Sequence, residues 1–182
     1  MVEQDGELVD GAKRGCLDCF GKLYNRYYPA IATLAFSLLG DRHLAEDVAQ
    51  ETFAVACRDL HHLKSSEKFA AWCAGICRNV AKQTLRTRKE IITTEFAPAT
   101  TEPKPDDQLS QAIRDAINHL AASDREIIIL RYYNDLSYEQ MSAMLGISEQ
   151  AVHGRLTRAK QKIEKILKQK GMVSENEPER KK

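Results

Sequence analysis

Between positions 148 and 162 the chain sets Ser148, Gln150, His153, Arg155, Arg158, Lys160 and Lys162 around a single glycine, Gly154. Spaced along one helix, side chains of these types can recognise nucleic acid through hydrogen bonds and charge. In the major groove of duplex DNA an arginine pairs with two acceptors of guanine, and a glutamine pairs in the same way with adenine. Lysines and further arginines neutralise phosphate and set the register of the protein on the duplex. Residues near the start of a docked helix enter the groove most deeply, so Gln150, His153 and Arg155 are the base-contact candidates. Arg158, Lys160 and Lys162 are assigned to phosphate. Gly154 lowers helix propensity by roughly 1 kcal/mol and leaves room for close approach to the DNA backbone.

A helix must hold these residues. Val152, Leu156, Ala159, Ile163 and Ile166 recur at the spacing of one apolar stripe, which leaves Gln150, His153, Gly154, Arg155 and Arg158 on the opposite face. Ser148 is its expected N-cap. Upstream, Ser137-Tyr-Glu-Gln140 reads as a capping box that starts a short helix, and Gly146 fits a turn at positive φ. A short capped helix, a glycine turn and a long basic helix make a helix-turn-helix. Basic amphipathic helices are common on ordinary solvated surfaces. The two caps and the turn glycine in this order separate this one from them.

Other chemistries find less support. There is no phosphate-cradling glycine loop, no paired-carboxylate site and no convincing catalytic triad, so no enzyme activity and no cofactor are expected. Cys16-x-x-Cys19 is a possible redox or half-zinc pair, to which Cys57, His61, Cys73 and Cys77 are the residues able to add ligands. Cys19 and Cys73 also border apolar stripes, where a free cysteine behaves as a small hydrophobe, and no metal site is expected. The odd count of five cysteines argues against a secreted disulfide framework.

The 182 residues suit one large or two small domains, and 43% hydrophobic with 29% charged residues is a globular balance. Net charge is only +1, but it is segregated. Seven Lys or Arg and two Glu lie between Ser148 and Lys170, and five basic residues without an acid lie between Ile76 and Lys89. Asp41 to Asp59 holds five acids and two arginines. Separate acidic and basic surfaces suit a chain that meets both protein and nucleic acid. No secretory signal and no apolar run of membrane length is visible, so a cytoplasmic protein without membrane insertion is expected.

Three helical patterns fill the N-terminal half. The first carries Phe20, Leu23, Tyr24, Tyr27, Ile31, Leu34, Ala35 and Leu38, ends at Gly40, and contains Pro29 as a bend or restart. The second, about Asp41 to Leu60, has the stripe Ala45, Val48, Ala49, Phe53, Ala56 and Leu60. The third, about Ser66 to Arg86, aligns Phe69, Trp72, Cys73, Ile76 and Val80, with Trp72 expected in the core. The prolines and acids between Glu95 and Gln108 read as an extended linker. Beyond it a helix is expected over Leu109–Leu120, and a second capping box, Ser123-Asp-Arg-Glu126, is expected to start another; by composition Ile127–Leu130 also suits a short strand. The expected fold is all-α: a helical domain over 1–92, a flexible linker over 93–108, a helix-turn-helix domain over 109–173 and a disordered tail over 174–182.

Taken together, Phe20–Asp41, Leu44–Leu60 (LAEDVAQETFAVACRDL) and Lys68–Arg86 resemble region two, and Asp124–Ile163 resembles region four, of a bacterial sigma factor of the extracytoplasmic-function group in the sigma-70 family. The resemblance covers nearly the whole chain, and its two segments are specific in combination and order. It implies promoter recognition, DNA melting and transcription initiation, with core RNA polymerase and promoter DNA as partners and an anti-sigma factor as a further one. Asp47, Gln50, Glu51 and Phe53 would then bind the clamp helices of the largest polymerase subunit. The acidic bias of that helix suits a basic partner surface.

The same resemblance implies that the loop His61–Glu67, with His61, His62, Lys64 and Ser65, captures an unstacked base of the minus-ten element. Flipping a base costs a few kcal/mol, offset by a pocket and backbone contacts. Arg78, Asn79, Lys82 and Arg86 follow as a phosphate-facing stripe, and region four would read the minus-thirty-five element and touch the polymerase flap. Gly154 stands where a small hydroxylated residue is expected. Two other readings stay open: a stand-alone helix-turn-helix regulator, and a redox- or metal-sensing helical interaction module.

Overall fold

The computed structural model describes residues 4–92 and 108–172. The linker expected over 93–108 falls outside them except for Gln108, and so does the tail over 174–182. Every regular element among the described residues is helical.

Four helices make the N-terminal unit: α1 (Asp5–Lys13), α2 (Leu17–Leu39), α3 (Arg42–Asp59) and α4 (Phe69–Ile92). The three expected stripes form as read. α2 runs through Pro29 without restarting and ends at Gly40, whose φ of 68° is the left-handed cap that glycine adopts without strain. An interior proline costs a helix about 3 kcal/mol, and burial of Ala30, Ile31, Leu34 and Ala35 just beyond it offsets that cost. Asp41 caps α3 by accepting the Leu44 N–H at 3.2 Å. Phe53 is the centre of this core: the rings of Phe20 and Tyr24 meet it at 6.5 and 4.7 Å between centroids. Trp72 is half-buried beside Phe69, at 6.1 Å.

Helix α1 was not foreseen. It has only Leu8 and Val9 to bury and carries Gly6 and Gly11, so its periodicity is weak. Asp5 and Glu7 in its first turn and Lys13 in its last complement the helix dipole. Asp5 also accepts hydrogen bonds from Arg26 and Tyr27 of α2. Burial, then that carboxylate, push the Tyr27 hydroxyl above its ordinary range.

The C-terminal unit comprises α5 (Gln108–Asn118), α6 (Ala122–Tyr133), α7 (Tyr138–Leu145) and α8 (Glu149–Gln169). The expected capping box at Ser123 is not made: α6 begins two residues earlier, behind Ala121, with no side-chain cap. Asp124 and Glu126 point inward instead and pair with Lys162 and Arg78. Ile127–Leu130 is helix, not strand. All four side chains are buried because α6 is packed between α2 and α8, which erases any one-sided pattern. The box at Ser137 forms with both bonds, Gln140 N–H to Ser137 Oγ at 3.1 Å and Ser137 N–H to Gln140 Oε1 at 2.8 Å. Gly146 makes the turn at φ 67°, and Ser148 caps α8 through the Ala151 N–H at 3.2 Å.

The two units share one continuous core. Tyr133 packs on Phe36 at 6.2 Å, Asn134 hydrogen-bonds Thr33, and Glu126 accepts from Arg78 at 2.6 Å. Packing of α6 on α2 and of α7 on α4 therefore sets an orientation that the linker composition left open.

Candidate nucleic-acid and protein-binding surfaces

On α8 the stripe Val152, Leu156 and Ala159 is buried, so the opposite face turns outward as helical geometry requires. Ser148, Gln150, His153, Arg158 and Lys160 are exposed, and Gly154 and Arg155 are half-buried. A Cβ placed on Gly154 would meet only Arg158 Nη1, at 3.8 Å, so packing within the chain does not demand glycine there. Two residues absent from the sequence reading join this face. The Tyr138 ring lies 5.9 Å from that of His153, and the Arg131 guanidinium sits 5.7 Å over Tyr138. Their signal was weak, because Tyr138 is simply the first residue of α7 and Arg131 lies on another helix. Lys160 lies 5.3 Å over the Tyr132 ring. Lys162, expected near phosphate, is exposed. Its Nζ donates to the buried carboxylate of Asp124, on α6, at 2.5 Å.

On α3, Asp47, Gln50 and Glu51 are exposed on one face at the three- and four-residue spacing of a helical surface. Phe53 corrects the expectation of a surface contact. It is 3% exposed, because its position in the apolar stripe turns it into the aromatic core. It can support a partner-binding face only from behind.

The loop between α3 and α4 consists of two short 3-10 turns, Leu60–His62 and Ser66–Lys68. Leu60 and Leu63 are buried and anchor it, leaving His61, His62 and Lys64 exposed and Ser65 half-buried. The His61 and His62 rings lie 3.9 Å apart. α1 supports the loop from below. Lys13 Nζ donates to the Leu63 carbonyl at 2.7 Å, and Ser66 Oγ hydrogen-bonds Asp10. Along α4, Asn79, Lys82 and Arg86 are exposed. Arg78 departs from the expected stripe: its guanidinium is committed to buried Glu126, across the junction of the two units.

The cysteines fall into three environments. Cys16 and Cys19 are joined as a disulfide, Cys57 is exposed, and Cys73 and Cys77 are buried. Burial pushes the Cys73 thiol up to about 12 and the Cys77 thiol up to about 11. The zinc set weighed from sequence is not assembled; among the described residues, no three His, Cys, Asp or Glu side chains converge to hold a metal. No helix among them is long and apolar enough to cross a membrane.

Two family models match the chain: Sigma-70 region 2 over residues 23–91, and Sigma-70, region 4 over residues 110–163. The RNA polymerase sigma factor NccH of Alcaligenes xylosoxydans xylosoxydans is 30% identical over 178 residues, covering 90% of this chain and 94% of the relative. The ECF RNA polymerase sigma factor BldN of Streptomyces coelicolor is 29% identical over 88% of this chain, which spans 65% of BldN. Among solved structures, CnrH in complex with the cytosolic domain of CnrY superposes with a TM-score of 0.63 at 27% identity, covering 92% of this chain and 99% of that one. The sigma factor RpoE of Bartonella quintana, in complex with the anti-sigma factor NepR, gives 0.56 at 27% identity over 82% and 96%.

Proposed function

This chain belongs to the extracytoplasmic-function branch of the sigma-70 family, and we propose from that membership that it directs core RNA polymerase to a set of promoters and helps to melt them. One observation carries the reading. A single chain exposes an acidic face at Asp47, Gln50 and Glu51 in the segment matched to region 2 and a basic helical face on α8 in the segment matched to region 4. The first docks on a basic surface of polymerase, where complementary charge sets register and speeds encounter. The second enters the major groove of the minus-thirty-five element, with Gln150, His153 and Arg155 at base edges and Arg158 and Lys160 near phosphate. His61, His62, Lys64 and Ser65, followed by Asn79, Lys82 and Arg86, hold the displaced strand of the minus-ten element. Arg78 and Lys162 are left out of these strips because each is held by a buried carboxylate.

A module of this size covers roughly 600–1,000 Å² of protein surface on DNA, so polymerase and the second promoter element must supply the remaining affinity. Bond-making chemistry belongs to polymerase, beside which the chain works in the cytoplasm. CnrH and RpoE were each captured with a partner, CnrY and the anti-sigma factor NepR. A partner of that kind is proposed here, and its footprint would include the acidic face of α3.

Start-site mapping with purified core polymerase, the full chain and genomic promoter fragments tests the reading. Discrete start sites that require the chain are expected. Gln50→Ala combined with Glu51→Ala should weaken polymerase binding and leave duplex binding by the chain unchanged. Specific duplex binding with no chain-dependent start site would move the protein to the stand-alone regulators.

A further inference from the structure

We propose that Cys16 and Cys19 form a reversible thiol–disulfide site, and that its state sets how firmly α1 holds the loop between α3 and α4. The thiol chemistry is independent of the transcription reading; only the loop's role in capturing a base rests on it.

The pair stands where a cysteine is most readily made reactive. Cys16 is the N-cap of α2, and its sulfur accepts the Cys19 N–H at 3.2 Å. In the reduced chain that N–H and the positive end of the helix favour a thiolate over a thiol at this position. The Cα atoms are 5.4 Å apart, so the bond can open and close without backbone rearrangement. The site is also reachable. Both cysteines are only half-buried, and Leu17 between them is 83% exposed. Cys73 and Cys77 show the contrast, being buried, protonated and inert.

The exchange balances with a small-molecule disulfide such as oxidised glutathione. The Cys16 thiolate attacks one glutathione sulfur, forming a mixed disulfide and expelling the other half as a thiolate that takes up a proton. Cys19 then loses its proton and attacks the Cys16 sulfur, releasing the second glutathione. Counting the proton that Cys16 gives up in forming its thiolate, the pair loses two electrons and two protons, and one oxidised glutathione becomes two reduced ones. Reduced glutathione runs the sequence backward.

A mechanical path leads from the sulfurs to the loop. Cys19 Sγ rests against the backbone of α1: a Cβ built on Gly11 would lie 2.6 Å from it. The Cys16 N–H donates to the Gly11 carbonyl at 3.1 Å, closing the turn between α1 and α2. One residue before Gly11, Asp10 holds Ser66, and two residues after it Lys13 holds the Leu63 carbonyl. The sulfur pair is thus seated under the stretch of α1 that grips both ends of the loop.

The test equilibrates the full chain in glutathione buffers from reducing to oxidising, followed by acid quenching, thiol labelling and mass mapping. Oxidation should remove two labels, both at Cys16 and Cys19, and reduced glutathione should restore them. Hydrogen exchange of the His61–Phe69 amides should be several-fold slower in the oxidised chain, and Cys19→Ser should abolish the difference. Gly11→Ala, which drives a methyl group into Cys19 Sγ, should shift the glutathione ratio of half-oxidation; if that variant does not fold, Cys16→Ser and Cys19→Ser carry the test. Two labels retained at every ratio would overturn the proposal, and so would equal exchange of the loop in the two states.

Discussion

The N-terminal unit turns its rings inward, and the C-terminal unit turns its rings outward. Phe20, Tyr24 and Tyr28 gather around Phe53, while Tyr27 and Trp72 flank Phe69. Across the junction the core is aliphatic, built from Ile127, Leu130, Met141, Met144, Val152 and Leu156. There Tyr132, Tyr133 and Tyr138 are 55, 66 and 36% exposed. In the first unit rings supply buried area and hold a loop and an acidic face in place. In the second, Tyr132 lies beneath the Lys160 ammonium, and Tyr138 lies between the Arg131 guanidinium and the His153 ring. Tyr133 bridges the two units through Phe36. The same residue type fills the core in one half and lies at the surface beside cations in the other.

That contrast can be broken most severely at its centre. Phe53→Ala should cost about 3–5 kcal/mol, the range for a large aromatic removed from a core, as read by chemical denaturation. Alkali separates the halves next. Cys73 and Cys77 lie in the N-terminal unit, their thiols raised from the ordinary 9.0 to about 12 and about 11. Because the folded values exceed the unfolded one, this contribution is complete below pH 9.0 and is lost as pH rises toward the folded values. Thermal melts across that range should fall, and replacing both cysteines with alanine should flatten the fall.

Arg155→Ala should weaken duplex binding by about 1–3 kcal/mol and relax preference at one base position. An equal loss on all sequences, measured by titration against single-base variants, would place Arg155 on phosphate instead. The smallest effect is expected at Tyr132, where alanine should change unfolding free energy by no more than about 0.5 kcal/mol while altering the salt dependence of DNA binding through Lys160. A stability loss as large as that of Phe53→Ala would mean that the outward rings also pack.

Much of this was legible in the chain. The stripes of α2, α3, α4 and α8, the Ser137 box and the Gly146 turn are local patterns, and each formed as read. The outward-facing residues of α8 and the acidic face of α3 follow from the same periodicity. α1 escaped notice because two apolar residues and two glycines make no stripe. The start of α6 differs from the expected one because Ser123 and Glu126 have the spacing of a capping box, yet Glu126 and nearby Asp124 turn inward. They are claimed by cations on other helices.

Local order along this protein was written in residue spacing, since a helix repeats every 3.6 residues and shows its buried face to any reader of the chain. What no spacing contains is the partner of a side chain 48 positions away, as Arg78 is from Glu126, or 38 away, as Lys162 is from Asp124. The packing of α6 against α2 and α8 decided that Arg78 and Lys162 reach across to Glu126 and Asp124, because a buried carboxylate must find a cation wherever the fold brings one.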